Sequence, residues 1–487
     1  MAGARHEKSS EMTATIDHRG KMSFRRSLIG YRNDFPPSLG LPLLQTIYGR
    51  ARPFECVERG WTRHGRRFTF YMIDMPPLVM LSDPSDIRAI ANASTENLHS
   101  GGGGALMEPV LGQSAFMLHE KEEHASVRDA IMPAFHSTTV QSHADMITKV
   151  VDREVASWPA DTVCPLSRYI YRLTSKVMLV AAIDDREEHK GSASGPPGHG
   201  EQMYDTLCRR MLDMLSVMAT PLLQEPQLRH LPGWRGVWRT FERRREAVDE
   251  MIYPLIASRR RAGEHRAPSD RREGDLLSLL ISARNPDGSP LSDRQVRDNF
   301  ISVVIAGHET TAATLAWTFQ LLAHNPVVQD RLIEEIDGGT DDTYMNAVIQ
   351  EALRHKPTFL FLPPRVVMKP IEIGGWGYHP PAQLLAGTYL MHHDPELYAD
   401  PHTFMPERFL EKAPRPGTLL PWGLGRKRCP GRQFALMEIR SVLRRALSTW
   451  RVLPAGGSIE RPRWRTALLT PHAGSKVILR TRHALHH

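Results

Sequence analysis

The segment of residues 292–324 predicts one helix of about thirty residues, and no other feature restricts the fold as strongly. Ser292 and Gln295 have the spacing of a capping box, which marks the start of a helix. Pro326 is typical of the first turn of a following helix. A helix of roughly thirty residues is about 45 Å long. Because its middle is unusually apolar, we expect it to lie buried across a whole domain.

The rest of the chain predicts more helices and only short strands. Apolar residues recur at helical spacing in residues 166–183, 202–218, 238–261 and 275–283. Strands are predicted as antiparallel pairs of residues 67–72 with 78–81, 370–373 with 383–387, and 450–453 with 476–480. Strands do not alternate with helices, which disfavours a doubly wound sheet. We therefore predict a mainly α fold with small β-sheets.

Both the domain organisation and the membrane prediction rest on the N-terminal residues. Residues 1–26 are polar and charged, which predicts a disordered or loosely docked N-terminal extension, and residues 27–487 are predicted as a single large domain. The first fifty residues contain no apolar run long enough to cross a bilayer and no signal-peptide core. We therefore expect no transmembrane anchor.

Composition excludes several classes of protein. The four cysteines, Cys56, Cys164, Cys208 and Cys429, lie far apart without a Cys-x-x-Cys pair, which argues against a zinc knuckle or a disulfide scaffold. Such cysteine usage fits a reducing compartment, so we expect a soluble, cytoplasmic protein. The net charge of +8 could favour an anionic partner. The arginine clusters are mixed with acidic residues and no nucleic-acid motif accompanies them, so we expect no nucleic-acid partner.

The most informative segment is the glycine-rich, basic loop of residues 421–432, which contains Cys429. Gly423, Gly425 and Gly431 are expected to take positive φ and to let the backbone approach a flat partner closely. A helix is predicted from residue 433, and a helix N-terminus and nearby cations both favour a thiolate. Cys429 is therefore a candidate metal ligand. On this loop alone, a structural cysteine in a glycine-rich turn remains an alternative.

Polar residues interrupt the apolar middle of the long helix at residues 306–311, Ala-Gly-His-Glu-Thr-Thr. Buried polar groups are costly unless they have a partner or a task. Gly307 removes a side chain where the helix would pass over a cofactor. The Thr310 hydroxyl can bond to a carbonyl one turn earlier and leave a gap that would seat O2. A structural threonine in a kinked helix is the alternative.

Glu351 and Arg354 stand three residues apart on a predicted helix, so they share one face. Arg408 follows farther along the chain. Taken alone, a surface ion pair is the commoner interpretation of a Glu-x-x-Arg pattern.

These segments together resemble the cytochrome P450 family. The cysteine loop is similar to its haem-binding signature: Gly425, Cys429 and Gly431 match, Trp422 stands where the family usually has Phe, and Lys427 stands where it usually has Arg or His. The resemblance covers about residues 110–450 and implies the family's triangular, mainly helical domain enclosing haem b, with the Cys429 thiolate on the iron. Residues 306–311 resemble its oxygen-activation motif.

The resemblance also implies roles for particular residues. Thr310 and Glu309 would deliver protons during oxygen activation, Ala306 and Gly307 would face the haem, and His308 is not expected to bind the iron. Glu351, Arg354 and Arg408 resemble the family's buried ion triad. The haem carboxylates would be contacted by His124, Arg128, Arg365 and Lys427. Pocket-lining candidates are residues 101–110 and Phe300, Val303, Val304, Phe359, Leu360, Leu362 and Leu469.

The implied activity is that of an oxidoreductase, a monooxygenase that inserts one atom of O2 into a small lipophilic substrate with two electrons and two protons. Specialised metabolism is one expected setting. A separate electron donor is implied, in the form of a ferredoxin with an NAD(P)H-dependent ferredoxin reductase. A peroxygenase that uses H2O2 and a non-enzymatic haem sensor are the alternatives.

Overall fold

In the computed structural model, the described residues are 15–16, 22–23, 35–73, 75–100, 107–183, 199–218, 233–264, 275–339, 341–411, 413–465 and 467–482. The predicted extension of residues 1–26 lies outside the described residues except for two short strands. Residues 101–106 of the predicted pocket loop also lie outside them.

Helices account for most of the described residues. They are α1 (Pro42–Ala51), α2 (Pro53–His64), α3 (Pro84–Asn92), α4 (Glu108–Leu111), α5 (Lys121–Ile131), α6 (Ser137–Ser142), α7 (Ala144–Ala156), α8 (Ser167–Ala182), α9 (His199–Met218), α10 (Arg235–Glu264), α11 (Leu276–Ser282), α12 (Asp293–His324), α13 (Pro326–Gly338), α14 (Thr343–His355), α15 (Thr388–His392), α16 (Arg408–Glu411) and α17 (Arg432–Thr449).

The strands are short. They are β1 (Thr15–Ile16), β2 (Met22–Ser23), β3 (Arg67–Phe70), β4 (Leu78–Leu81), β5 (Leu98–His99), β6 (Val163–Pro165), β7 (Arg365–Val367), β8 (Ile371–Ile373), β9 (Trp376–Tyr378), β10 (Gln383–Ala386), β11 (Trp450–Pro454), β12 (Pro462–Arg465), β13 (Leu468–Pro471) and β14 (Lys476–Thr481). The prediction of a mainly α fold with small sheets is confirmed.

The chain divides into two compact units, Met1–Ser100 with Pro363–Gly387, and Gly101–Leu362 with Thr388–His487. The first unit holds a five-stranded sheet in the order β3-β4-β10-β7-β5 and the hairpin β8–β9. The predicted antiparallel pair of β3 and β4 is confirmed. The prediction of one domain over residues 27–487 stays a prediction.

One predicted strand pair is wrong. Residues 371–373 pair with residues 376–378 and not with residues 383–387. Gly374 and Gly375, which were expected to lie within a longer connection, have φ of +61° and +79°, the conformation of a tight two-residue hairpin turn. Strand β10 instead pairs in parallel with β4 and antiparallel with β7.

The second unit is built around α12. Its capping box is formed as predicted, with Ser292 and Gln295 bonding to each other's backbone, and Pro326 begins α13. Residues 296–323 of α12 are buried apart from positions 306, 307 and 310. A helix that is apolar on all sides must be covered on all sides, and α8, α10, α11, α14 and the hairpin β12–β13 are among the elements that pack on it.

The sheet β11-β14-β6 lies in the same unit, and its predicted pair β11–β14 is confirmed. Hairpin β12–β13 is tied to the long helix because the indole N–H of Trp317 donates to the carbonyl of Leu469 over 2.9 Å. Among the described helices, none is both long and apolar enough to cross a membrane.

Candidate active site

Cys429 lies in a tight loop that two glycines and one backbone hydrogen bond define. Gly423 and Gly425 have φ of +70° and +63°, a conformation that glycine adopts without strain. The backbone N–H of Cys429 donates to the carbonyl of Trp422 over 2.9 Å and closes the loop. Helix α17 begins at Arg432. Of the four cysteines, Cys429 is the exposed one.

The prediction of positive φ is wrong for the third glycine of the loop. Gly431 has φ of −82°, which any residue adopts. A Cβ built on Gly431 would lie 3.7 Å from the ring of Phe135, an ordinary contact distance. The backbone therefore does not require glycine here, and its close approach to a cofactor stays a prediction.

Opposing effects act on the thiol of Cys429. Although the residue is partly exposed, burial of the sulfur raises its pKa above the ordinary value. The backbone N–H of Gly431 and the charges of Arg128 and Arg428 lower that pKa. A coordinated metal cation deprotonates a thiol outright, so the raised pKa does not oppose ligation. The effect of Arg128 also shows that α5 lies beside the cysteine loop.

Two of the predicted haem contacts lie on α5, one turn apart. His124 is buried, and the centre of its ring is 5.5 Å from that of Phe116. Arg128 is half-buried, and among the described carboxylates none forms a salt bridge with it. A half-buried cation near the thiol, with no carboxylate of the described chain on it, is suited to an anionic group of a cofactor.

The other two predicted haem contacts have different surroundings. Lys427 donates to the carbonyl of His119 over 2.6 Å and lies 3.7 Å from a carboxylate oxygen of Glu120. Its ammonium therefore fastens the cysteine loop to the start of α5, and any haem carboxylate would share it. Arg365 is half-buried on β7 of the first unit, and its contact with haem stays a prediction.

Ala306, Gly307 and Thr310 form the accessible strip of α12. Ala306 is exposed and the other two are half-buried, whereas the adjacent residues of the helix are buried. The Thr310 hydroxyl donates to the carbonyl of Ala306 over 2.7 Å, as the sequence predicts. The strip thus presents a small apolar surface with one hydroxyl, which suits a flat cofactor and a small diatomic molecule.

The structure gives Gly307 a further reason to be glycine. A Cβ at this position would lie 2.5 Å from the Sδ atom of Met178 on α8. Close packing of α12 on α8 thus accounts for the missing side chain, in addition to the predicted cofactor contact. Met178 of α8, Phe135 and Phe434 of α17 also line one small cavity, which therefore lies between α8 and the helix that follows the cysteine loop.

Glu309 and His308 point into the protein. Burial raises the pKa of Glu309, and the charge of Arg465 lowers it. His308 bonds through Nδ1 to the carbonyl of Val304 over 3.2 Å. Burial lowers the pKa of His308 to about 4, so the ring is neutral at neutral pH. Its ring makes a T-shaped contact with the Tyr171 ring of the neighbouring helix α8.

Glu351, Arg354 and Arg408 meet in one buried ion network. Two bonds of 2.7 and 2.8 Å join the guanidinium of Arg354 to the carboxylate of Glu351, and both side chains are 0% exposed. Arg408 Nε donates to the same carboxylate over 3.2 Å. The remaining guanidinium donors reach backbone carbonyls, among them those of His392 and Pro401. The network fixes the segment after α15 against α14.

The predicted pocket residues separate into two groups. Because an α-helix turns by about 100° per residue, Val303 lies about 60° from Ala306 around the helix, and Phe300 and Val304 lie about 120° and 160° away. All three are buried in the core. The contact of these three residues with a substrate stays a prediction. Leu360 and Leu469 are also buried, and the carbonyl of each accepts a hydrogen bond. Phe359 and Leu362 are half-buried.

The sequence patterns do not predict two residues of the site. Arg465 of β12 lies beside Glu309, and Tyr171 of α8 lies beside Arg465, but each comes from a distant segment without a motif of its own. Among the described residues, no group of three or more His, Cys, Asp or Glu side chains could hold a metal ion. The donor set is therefore one thiol with cations around it, which fits a haem and does not fit a metal bound by several side chains.

Comparisons with known proteins agree with this geometry. The cytochrome P450 family model matches residues 36–479. Cytochrome P450 137 of Mycobacterium tuberculosis is 30% identical over 456 residues, which cover 93% of this chain and 89% of that protein. Cytochrome P450 135B1 of Mycobacterium bovis is 28% identical over 457 residues, covering 91% and 92%. The solved structure of retinoic acid bound cyanobacterial CYP120A1 has a TM-score of 0.76 at 20% identity and covers 92% of this chain and 99% of its own.

The family match spans nearly all of the described chain and includes both units. The likeness to the solved structure shows that the fold is the same. The chain belongs to the cytochrome P450 family and is a haem-thiolate monooxygenase that binds iron protoporphyrin IX and uses O2.

Proposed function

We propose that this protein oxidises a small lipophilic molecule in the cytoplasm, with electrons from a ferredoxin and its NAD(P)H-dependent reductase. The observation that carries the proposal is the accessible strip of α12, where Thr310 provides one hydroxyl beside the buried acid Glu309. Such an acid–alcohol pair manages protons, which O2 activation requires and which haem storage or sensing does not.

The residues that would hold haem can be assigned from their surroundings. Cys429 would bind the iron through its thiolate, with Trp422 and Gly431 of the same loop next to the haem. Arg128 and His124 would contact the haem carboxylates, and Ala306 of α12 would pack on the ring. When bound, haem supplies the iron centre at which O2 is reduced and one oxygen atom is inserted into the substrate.

Thr310 and Glu309 would conduct protons to that centre. The hydroxyl of Thr310 is oriented by its bond to the carbonyl of Ala306, so its oxygen can accept a proton while its own proton is released. Burial raises the pKa of Glu309, and an acid whose pKa lies nearer neutrality exchanges protons more readily at pH 7. These roles are proposed for residues that also have a structural task in α12.

The substrate class is inferred from the predicted pocket residues. Phe300, Val303 and Val304 are apolar and buried, and Phe359 and Leu362 are half-buried. Apolar walls with few polar groups bind ligands mainly by removing apolar surface from water. We therefore infer a lipophilic substrate, and specialised metabolism is a setting that such an enzyme would suit.

The electron donor is inferred from the charge around the cysteine loop. Arg426, Arg428 and Arg432 are exposed, and none of them forms a salt bridge with a described carboxylate. A surface of one sign attracts a partner of the opposite sign and speeds their encounter. An acidic ferredoxin is the partner that this surface fits.

The substrate proposal is tested by a spin-state titration of the purified holoprotein against a library of lipophilic compounds, followed by product analysis of the hits. We expect hits that shift the haem absorbance and give oxygenated products that depend on NAD(P)H, ferredoxin and reductase. Products formed with H2O2 but never with the ferredoxin system would favour a peroxygenase. No spin shift and no product with any compound would favour a haem sensor.

The partner proposal needs charge-reversal variants. Arg426→Glu with Arg428→Glu should raise the KM for ferredoxin and weaken its dependence on salt. Arg463→Glu, at an exposed arginine of β12, changes the net charge outside the loop and serves as the control. Equal effects of the two changes would contradict docking at the cysteine loop.

A further inference from the structure

Four side chains from three elements form a cluster behind the accessible strip of α12. They are Tyr171 of α8, His308 and Glu309 of α12, and Arg465 of β12. A guanidinium nitrogen of Arg465 lies 3.9 Å from the Glu309 carboxylate. The Arg465 guanidinium carbon lies 4.4 Å from the centre of the Tyr171 ring, which is 6.4 Å from that of His308.

Arg465 carries the charge that faces Glu309. Burial raises the pKa of Tyr171 to about 12 and lowers that of His308 to about 4, so both are neutral at neutral pH. Among the described groups, Arg465 is the one whose charge acts on the pKa of Glu309. The charge state of this buried acid therefore depends on the position of one guanidinium.

The ion pair of Glu309 and Arg465 reaches from the protein interior to solvent. The side chain of Glu309 is 6% exposed and that of Arg465 is 25% exposed. At 3.9 Å the two ions attract each other, but the separation is too long for a direct hydrogen bond. The face of the Tyr171 ring holds the guanidinium by a cation–π contact instead. The carboxylate is thus attracted by its partner without being locked to it.

We propose that Arg465 is a positioning residue for Glu309, held in place by the Tyr171 ring, and that its movement admits the water from which Glu309 is reprotonated. The proposal rests on the proton role assigned to Glu309 in the proposed function. A hydronium ion on the solvent side gives its proton to the carboxylate. The resulting acid passes a proton to the oxygen of Thr310 as Thr310 releases its own inward, so both residues return to their starting states.

The test uses the holoprotein and the variants Arg465→Gln, Arg465→Lys and Arg463→Gln. Arg463 is exposed on the same strand and leaves the cluster intact, so it is the matched control. The protonation of Glu309 is followed directly by infrared difference spectroscopy of its carboxyl band, which Glu309→Gln identifies by its loss. We expect Arg465→Gln to raise the pKa of Glu309 by about 1 unit or more. Arg465→Lys should give a smaller rise and Arg463→Gln none.

Turnover provides a second measurement. In Arg465→Gln the alkaline limb of kcat against pH should move upward with the carboxyl pKa, and the solvent isotope effect on kcat should change. The KM for substrate should not change, because Arg465 acts through Glu309. Tyr171→Leu, which removes the ring, should reproduce these effects, whereas Tyr171→Phe should not. If Arg465→Gln fails to fold, the comparison of Tyr171→Leu with Tyr171→Phe still tests the positioning role of Arg465.

The possible failures are distinguishable. An unchanged carboxyl pKa in Arg465→Gln, or an equal shift in Arg463→Gln, overturns the positioning role whatever the activity. A wild-type protein that makes no ferredoxin-dependent product overturns the proposed function, and the infrared titration still decides whether Arg465 controls Glu309. If the wild type is active and the carboxyl pKa shifts without any change in the pH profile, the proposed proton entry is wrong.

Discussion

Replacement of Glu351 by glutamine should destabilise the protein far more than the loss of an ordinary ion pair. The carboxylate accepts two bonds from Arg354, at 2.7 and 2.8 Å, one from Arg408 at 3.2 Å and one from the backbone N–H of Met405 at 2.9 Å. Glutamine keeps the size of the side chain, removes its charge and turns one acceptor into a donor. At least one guanidinium donor would then face another donor.

The magnitude follows from burial. Arg354 is 0% exposed, and its bonds outside the triad reach only backbone carbonyls. Breaking a buried ion pair by removing one partner costs about 3–5 kcal/mol. Because native proteins are stable by about 5–15 kcal/mol, Glu351→Gln should remove a large share of the free energy of unfolding.

The measurement is urea denaturation of the holoprotein, followed by circular dichroism and by haem absorbance. Glu96→Gln is the control, since Glu96 pairs with Lys369 over a similar distance of 2.8 Å but both side chains are exposed, at 64% and 60%. Such a surface pair contributes about 0–1 kcal/mol. If the two variants lose the same stability, the argument from burial is refuted.

Further predictions concern single sites. Burial lowers the pKa of His392 to about 3, below the 6.5 of an exposed histidine, so the unfolded chain binds its proton first. The contribution of neutral His392 to the free energy of unfolding is complete above about pH 6.5. It falls by about 1.4 kcal/mol per pH unit as the pH drops toward the pKa of the folded state. In His392→Asn the urea midpoint should therefore decrease less steeply with falling pH below about pH 6.5 than in the wild type. The same dependence of the midpoint on pH in both proteins would contradict this. Thr310→Ala should retain haem but divert electrons from product to H2O2, whereas Thr311→Ala, a buried neighbour, should not; equal coupling of NAD(P)H use to product in both variants would refute the proton role. Gly60→Ala should be destabilising by about 1–3 kcal/mol, although alanine is the better helix former by about 1 kcal/mol, because the new Cβ would lie 2.2 Å from the buried ring of Phe68; a rise in the urea midpoint would show that the ring yields.

Features that depend on neighbouring residues could be predicted from the sequence. The start of α12 follows from Ser292 and Gln295, three positions apart, and the turn before Cys429 follows from Gly423 and Gly425. In these cases the chemical cause and its structural effect lie within one turn of chain. The pairing of β8 was missed for a related reason, since the local turn at Gly374 competed with a longer-range pairing and prevailed.

Features that join distant segments could be predicted only through the family resemblance, or not at all. The spacing of Glu351 and Arg354 does not show that both are buried, and nothing local brings Arg408 to them. Lys427 was expected to face a haem carboxylate, but the carbonyl of His119 is already bound to it. No sequence pattern indicates that Arg465 lies beside Glu309, because that contact is made when the hairpin β12–β13 packs against α12.

The polar residues of α12 differ in whether the helix itself provides their hydrogen-bond partners. Thr310, Thr311, Thr314 and Thr318 each donate to the carbonyl four residues earlier, at 2.7 to 3.0 Å, so their hydroxyls are satisfied within the helix. A helix can therefore carry threonines through a buried core at little cost. Glu309 has no such internal solution and depends on Arg465, which another strand supplies. Where a buried helix carries a carboxylate that it cannot satisfy by itself, a residue from a distant segment must face that carboxylate, and at Glu309 this residue is Arg465.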